Sequence, residues 1–227
     1  MTPAVRRLQE VRFRIAAACA RAGRSPSDVT LVAVTKTVPV ERIAELVAAG
    51  HRTLGENRVQ EALAKIEALG PGPEWHLVGH LQRNKARASV GRFALIHSVD
   101  DLELAREIDR RASAAGLVQK VLLQINLAEE ASKHGAAPSS VISLAEGVAA
   151  LPHLDLRGLM IIPPPAGDPE PSRPWFRRLV ELRDLLADRL GLLLPELSMG
   201  MTDDFEAAVE EGATLVRVGR ALFGERG

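Results

Sequence analysis

The sequence predicts an α/β fold, specifically a single (β/α)8 TIM-type barrel with an extra N-terminal helix. Three observations carry that expectation. The hydrophobic period switches repeatedly between short apolar runs and amphipathic 3.6-residue patterns, in the order strand, helix, strand, helix. Such alternation implies a parallel sheet. Eight units of this kind on roughly 200 residues match a closed barrel near the lower end of its size range. A doubly wound open sheet is the alternative, but no Gly-x-Gly-x-x-Gly turn follows the first strand, so the usual dinucleotide cradle is missing.

Residues 1–24 read as the leading helix, with Val5, Leu8, Val11, Ile15 and Cys19 at helical spacing and a stop at Gly23-Arg24-Ser25-Pro26. The barrel is expected over 30–227. Its strands are predicted at 31–36, 53–57, 75–81, 95–99, 121–127, 156–162, 197–199 and 215–219. Helical patterns lie between them at 40–49, 101–115, 139–150, 175–190 and 203–211, the last opened by Thr202 as its N-cap. The proline-rich stretch 163–171 is a stiff loop after the sixth strand rather than a domain linker. We therefore expect one domain spanning 1–227.

Composition narrows the partners. Lys+Arg and Asp+Glu both total 29, so the chain has no formal net charge, which argues against a nucleic-acid binder that works by neutralising phosphates. The 46% hydrophobic content is enough for a substantial core. Cys19 is the only cysteine, which excludes an intrachain disulfide and suits a reducing compartment. No apolar run reaches the length of a membrane span, and the charged N-terminal segment does not read as a signal peptide. A cytoplasmic, soluble monomer without nucleic-acid or membrane partners is expected.

Lys36 is the most informative residue. It closes the apolar run Leu31-Val32-Ala33-Val34-Thr35-Lys36, and an amine desolvated at a strand end is a candidate Schiff-base former. A lysine that merely snorkels to solvent has equal weight on this segment alone. In a barrel of this type the loops after strands seven and eight commonly hold a phosphate. Here those loops are Ser198-Met199-Gly200-Met201-Thr202 and Gly219-Arg220, rich in hydroxyls and helix-start amides, although ordinary capping also explains such residues. Arg217 on the eighth strand shares parity with Leu215 and Gly219, so its guanidinium faces either the lumen or the outer helices. Its partner is either a buried carboxylate such as Glu56 or a ligand ring nitrogen. Beside a pyridine nitrogen a permanently charged guanidinium would keep that nitrogen unprotonated and weaken the ring as an electron sink.

Lys36, the two loops and Arg217 together make the shape of a pyridoxal 5′-phosphate (PLP) site. Five segments carry a resemblance to a known family: Ala33-Val34-Thr35-Lys36-Thr37; Gly55-Glu56-Asn57-Arg58-Val59-Gln60-Glu61; Trp75-His76-Leu77-Val78-Gly79-His80-Leu81-Gln82-Arg83-Asn84-Lys85; Ser198-Met199-Gly200-Met201-Thr202-Asp203-Asp204; and Val216-Arg217-Val218-Gly219-Arg220-Ala221-Leu222-Phe223-Gly224. Together they closely resemble the pyridoxal phosphate homeostasis protein family over nearly the whole chain. The resemblance implies a single-domain barrel related to the N-terminal domain of alanine racemase, with PLP as an aldimine on Lys36. It further implies that Ser198, Gly219 and the Arg220 backbone hold the phosphate, that Arg217 approaches the pyridine nitrogen, and that Asn57, His80 and Met199 belong to the cofactor site. The implied role is intracellular PLP homeostasis and supply, with transient delivery to apo PLP-dependent enzymes and no established turnover, so no catalytic residue is assigned. Two positions depart from the family pattern. Val38 stands where many relatives carry a second lysine, and Arg220 stands where threonine is frequent.

Other functions remain open on the sequence. An amino-acid racemase would use the same aldimine, but the fold-related racemases need a tyrosine as second base and an added C-terminal domain, whereas this chain has no Tyr and stops at Gly227. A Schiff-base phosphosugar lyase is the third reading. His76 and His80 share strand parity and suggest a metal, yet no third ligand appears at a zinc-like spacing, so no metal site is expected and the histidines are expected to line the pocket. Arg83, Lys85 and Arg87 read as solvated helix charge. Lys133, on the loop after strand five, is an exposed loop lysine and a candidate secondary aldehyde site.

Overall fold

The structure, a computed structural model, describes residues 1–130, 133–165 and 168–224. Residues 131–132, 166–167 and 225–227 lie outside the described residues, among them Ala166 and Gly167 of the proline-rich loop and Gly227. The strands are β1 (Thr30–Val34), β2 (Thr53–Glu56), β3 (Glu74–Leu77), β4 (Leu95–Val99), β5 (Gln119–Ile125), β6 (Leu154–Ile161), β7 (Glu196–Ser198) and β8 (Leu215–Val218). All eight pair in parallel with their sequence neighbours, and β8 closes on β1 through Thr30↔Leu215 to Ala33↔Val218. The closed barrel expected from the alternating pattern is therefore the fold.

The helices are α1 (Pro3–Arg21), α2 (Val40–Ala48), α3 (Val59–Leu69), α4 (Ala86–Ser89), α5 (Leu102–Ala114), α6 (Val141–Ala149), α7 (Arg173–Leu190), α8 (Phe205–Glu210) and α9 (Arg220–Phe223). The leading helix forms because Thr2 accepts a hydrogen bond from the Val5 amide and Pro3 takes the first helical turn, where its missing N–H costs nothing. Its apolar face, Ala4, Leu8, Val11, Ile15, Ala18 and Cys19, is buried in the same core that surrounds the barrel. Burial also raises the Cys19 thiol pKa, which makes it a small core hydrophobe rather than a nucleophile. No helix among the described residues is long and apolar enough to cross a membrane.

Strand parity divides the interior into two cores. One set of residues packs outward under the helices. The other, Val32, Val78, Leu95, Leu122, Met160 and Leu215, fills the lumen. Val216 and Val218 belong to the outer core and Leu215 to the lumen, so Arg217 points into the barrel.

Among the boundaries that differ from the sequence expectation, three have a clear local reason. β1 ends at Val34 rather than Lys36, because the chain turns through Thr37, whose φ of 63° is a left-handed conformation. β3 ends at Leu77 rather than Leu81. A Cβ on Gly79 would lie 2.3 Å from the Asn57 carbonyl oxygen, so the chain leaves the strand where only glycine can pass. α8 begins at Phe205 after Asp204, not after Thr202. The Asp204 carboxylate turns back to accept from the Met201 amide at 2.7 Å, and Thr202 accepts from the Ala221 amide instead.

Candidate functional site

Lys36 sits in the turn beyond β1, and a buried ionic clamp fixes its neighbours. The Thr35 hydroxyl donates to Glu56 Oε1 at 2.6 Å, and Lys65 Nζ, on α3, donates to the Thr35 carbonyl, Glu56 Oε1 and Glu61 Oε1 at 2.6, 2.6 and 2.7 Å. The Thr37 amide donates to Glu61 Oε1 at 2.6 Å. Glu56 is fully buried and Lys65 nearly so. Partial burial pushes the Glu61 carboxyl up, but the Lys65 and Thr37 hydrogen bonds outweigh it and hold the group below the usual carboxylate range. Both residues flanking Lys36 are thus held by α3. Glu56 is committed to Lys65 and Thr35, which removes it as the partner considered for Arg217.

Lys36 lines a pocket of about 780 Å³ at the C-terminal mouth of the barrel. Asn57, Arg217, Gly219 and Arg220 line the same pocket, so the structure gathers five of the eight predicted site residues. Val34, Val78, Pro39 and Ile162 give it apolar walls. Met201, Thr202 and Asp203 contribute from the loop after β7, and Asp203 accepts a hydrogen bond from Arg220. The loop expected over Ser198–Thr202 thus reaches the pocket through Met201 and Thr202, with Asp203 just beyond it.

The other three predicted residues lie elsewhere. Met199 is fully buried in the outer core, because it has the opposite parity to the lumen-facing Ser198. Ser198 is also fully buried and is bonded to Arg217 rather than exposed in the pocket. His80 lies on the rim beside Asp100 and His134 and is not among the pocket-lining residues. The expectation that the histidines line the pocket fails for His76 as well, which is buried in the lumen against His97. The two do not form a pair, because the strand ends between them and their shared parity is lost. Lys133 donates to Glu130 Oε1 at 2.6 Å and to the Pro163 carbonyl at 3.2 Å. Arg83 is exposed and paired with Glu103, as solvated helix charge should be.

Beneath the pocket runs a buried polar chain that the sequence did not reveal. Arg217 donates from Nη1 to Ser198 Oγ at 2.6 Å and from Nη2 to the Ile161 carbonyl at 2.8 Å. Ser198 Oγ lies 2.8 Å from His97 Nδ1, and His97 Nε2 lies 3.0 Å from His76 Nδ1. A guanidinium can only donate, so Ser198 accepts from it. The serine's own proton then needs an acceptor, and His97 Nδ1 is within reach. That makes His97 an Nε2–H tautomer that donates to His76, and both rings are neutral. Burial is the main force holding them neutral: it lowers His76 to about 4, and it lowers His97 well below its ordinary value, where the repulsion two protonated rings would feel and the Arg217 charge add to the effect. Burial also lowers Arg217 to about 10, so it is still charged at neutral pH.

The comparisons with known proteins agree with this architecture. The family described as "Alanine racemase, N-terminal domain" matches residues 7–227. The pyridoxal phosphate homeostasis protein of Aquifex aeolicus is 48% identical over 224 residues, covering 98% of both chains. That of Pseudomonas aeruginosa is 46% identical over 227 residues, covering 100% of this chain and 97% of the relative. Among solved structures, PipY from Synechococcus elongatus PCC7942, with PLP bound, superposes with a TM-score of 0.84 at 40% identity, over 94% of this chain and 100% of PipY.

Proposed function

The chain belongs to the pyridoxal phosphate homeostasis protein family, and from that premise we propose that it is a PLP-holding protein that supports intracellular PLP supply, with Lys36 as a reversible covalent tether. The observation that carries the reading is the convergence of Lys36, Arg217 and the loops after β7 and β8 on one pocket. The residues present fit the cofactor. The pocket supplies an amine for the aldehyde, apolar walls for the ring, a buried guanidinium, and a mouth lined by Thr202, Gly219 and Arg220 for a phosphate. Gly219 contributes by being small, since a Cβ there would already press on the Val34 carbonyl oxygen at 3.2 Å.

PLP supplies an electrophilic aldehyde and an electron-withdrawing ring. This chain's own groups would hold the first and restrain the second. Lys36 would form the Schiff base, positioned by the Lys65–Glu61 clamp on its neighbours. Arg217, aimed by Ser198 and the Ile161 carbonyl, would meet the ring nitrogen as a donor and keep it from taking a proton. Asn57 would contribute to the wall. Such a site is built for holding rather than turnover, and we read the chain as a non-enzyme. One domain spanning 1–227, a monomer, a cytoplasmic location and transient transfer to apo-enzymes complete the proposal.

Borohydride reduction of the PLP-loaded protein, followed by peptide mass mapping, tests the tether. The pyridoxyl mass should fall on the peptide that contains Lys36, and Lys36→Ala should lose the near-visible absorbance of the bound cofactor. An adduct found mainly on Lys133 would overturn the assignment. Pyridoxal without its phosphate should bind far more weakly than PLP, and equal affinities would remove the phosphate role of the two loops.

A further inference from the structure

The C-terminal ends of β3, β4 and β5 bring together a second group of chemically capable side chains, none of which lines the cofactor pocket. His80 follows β3, Asp100 follows β4, and His134 comes from the loop after β5. Donor atoms from the three lie within 4.8 Å of one another. His80 Nδ1 is 3.7 Å from Asp100 Oδ2, too far for a hydrogen bond, and the His80 and His134 rings stack with centroids 3.7 Å apart and an 8° interplanar angle. Asp100 Oδ1 is shut off from solvent and makes no well-formed hydrogen bond among the described residues, although the Gly135 amide faces the carboxylate. The cluster therefore holds a carboxylate that is short of a partner, facing two imidazoles.

We propose that His80, Asp100 and His134 form a binding site for a divalent transition-metal ion of the zinc class. Two imidazoles and a carboxylate suit Zn2+, Co2+, Ni2+ or Cu2+ better than Mg2+ or Ca2+, which prefer all-oxygen ligands. Metal–donor bonds of about 2.0–2.2 Å bring the donors of a tetrahedral site to roughly 3.4 Å from one another, so the two rings must turn out of their stacked arrangement until their in-plane lone pairs converge, while the donor atoms themselves, within 4.8 Å, have little distance to travel. Both imidazoles are exposed and able to rotate. The backbone around His134 is already anchored. Gln124 Nε2 donates to the His134 carbonyl at 2.9 Å, and Ala136 returns to β5, its amide donating to the Gln124 carbonyl and its carbonyl accepting from Asn126. Three protein ligands leave a coordination position open to water or to a small anion.

A simple histidine–aspartate ion pair explains the cluster less well. The 3.7 Å between His80 Nδ1 and Asp100 Oδ2 is too long for a hydrogen bond, and such a pair would not engage the His134 donor that lies beside it. A bound ion would engage all three donors and fasten the loop that carries Lys133 and His134 to the ends of β3 and β4.

The test is calorimetric titration of the chelator-treated, desalted full chain with Zn2+ near neutral pH. One ion per chain is expected. His80→Ala and His134→Ala should each weaken binding by at least about tenfold, as the loss of a ligand requires. His153→Ala, whose imidazole faces Asp109 at 3.5 Å on another part of the surface, should leave binding unchanged. Co2+ added to the wild-type chain should give a visible absorption band that His134→Ala alters. Absence of saturable Zn2+ binding up to millimolar concentration would overturn the site, as would unchanged affinity in both cluster variants or loss of binding in His153→Ala.

Discussion

Arg217 donates to Ser198 Oγ across 2.6 Å inside the barrel lumen, and Ser198 in turn lies 2.8 Å from His97 Nδ1. One hydroxyl thus satisfies a buried guanidinium that reaches the pocket and a buried imidazole at the same time. Ser198 thereby supports Arg217 from beneath the pocket.

Ser198→Ala removes the partner of both groups and leaves Arg217 Nη1 and His97 Nδ1 buried without one. Leaving a buried polar group unsatisfied costs about 1–3 kcal/mol, and more for a charged one. We expect Ser198→Ala to destabilise the fold by about 2 kcal/mol or more. By contrast Ser140→Ala, which removes an exposed local hydrogen bond to Ala137, should cost well under 1 kcal/mol. Urea unfolding of the two variants checks this, and equal losses would mean that the lumen chain is not satisfied as described.

Lys65→Met should be more damaging still. It strands the fully buried Glu56 carboxylate, and breaking one side of a buried ion pair costs roughly 3–5 kcal/mol. Adding Glu56→Gln in the same chain removes the orphaned charge, so the double variant should recover part of the loss. Borohydride capture at position 36 should also slow in Lys65→Met, because Thr35 and Thr37 lose the clamp that fixes the turn. Unfolding curves together with reduction kinetics measure both effects.

The barrel was legible in the sequence because it rests on periodicity: eight apolar runs give eight strands, with ends displaced by at most four residues. Lys36, Arg217, Gly219 and Arg220 could be placed at the pocket from a strand end, strand parity or a known loop position, whereas Asn57 came only through the family resemblance. Met199 was misplaced by a one-residue question of parity, and β3 was overextended because nothing in its apolar run shows how closely Gly79 passes Asn57. Lys65 looks like an ordinary helix-face lysine until α3 is docked, since its partners Thr35 and Glu56 lie on two other elements. The same is true of Asp100 and His134, which come from separate loops and share no spacing signal with His80.

Acid should weaken the protein before its carboxylates titrate. Burial lowers His51 and His76 to about 4 from 6.5, so between those values the unfolded chain binds protons that the folded chain refuses. Folding stability therefore falls as the pH drops through that window and is unaffected by these groups above it. Each pH unit is worth about 1.4 kcal/mol per group, so at pH 5 the two together should cost on the order of 4 kcal/mol. The lowered carboxylates Glu61, Glu210 and Glu211 add their loss only as the pH falls below their ordinary value of 4.5. Urea midpoints at pH 7, 6 and 5 should decline steadily, and His51→Gln should flatten that decline. A constant midpoint down to pH 5 would show that these histidines are not held neutral.

Racemisation separates a carrier from an enzyme. It requires one group to remove a proton from one face of the substrate carbon and another to deliver a proton to the opposite face. The ionisable side chains lining the pocket are Lys36, Arg42, Asp203, Arg217 and Arg220 among the described residues, with no tyrosine in the chain and no histidine on the lining. Arginines stay charged at neutral pH and are poor proton acceptors. Asp203 is the remaining candidate, but it is largely exposed and already accepts from Arg220. Among the described lining residues that leaves Lys36 as the candidate base, on one face only. The PLP-loaded protein should release cofactor to a PLP-requiring apo-enzyme, yet convert L-alanine to D-alanine no faster than free PLP at the same concentration. Turnover above that control which depends on Lys36 would make the chain a racemase. Loss of that turnover in Asp203→Asn would then identify the second proton carrier.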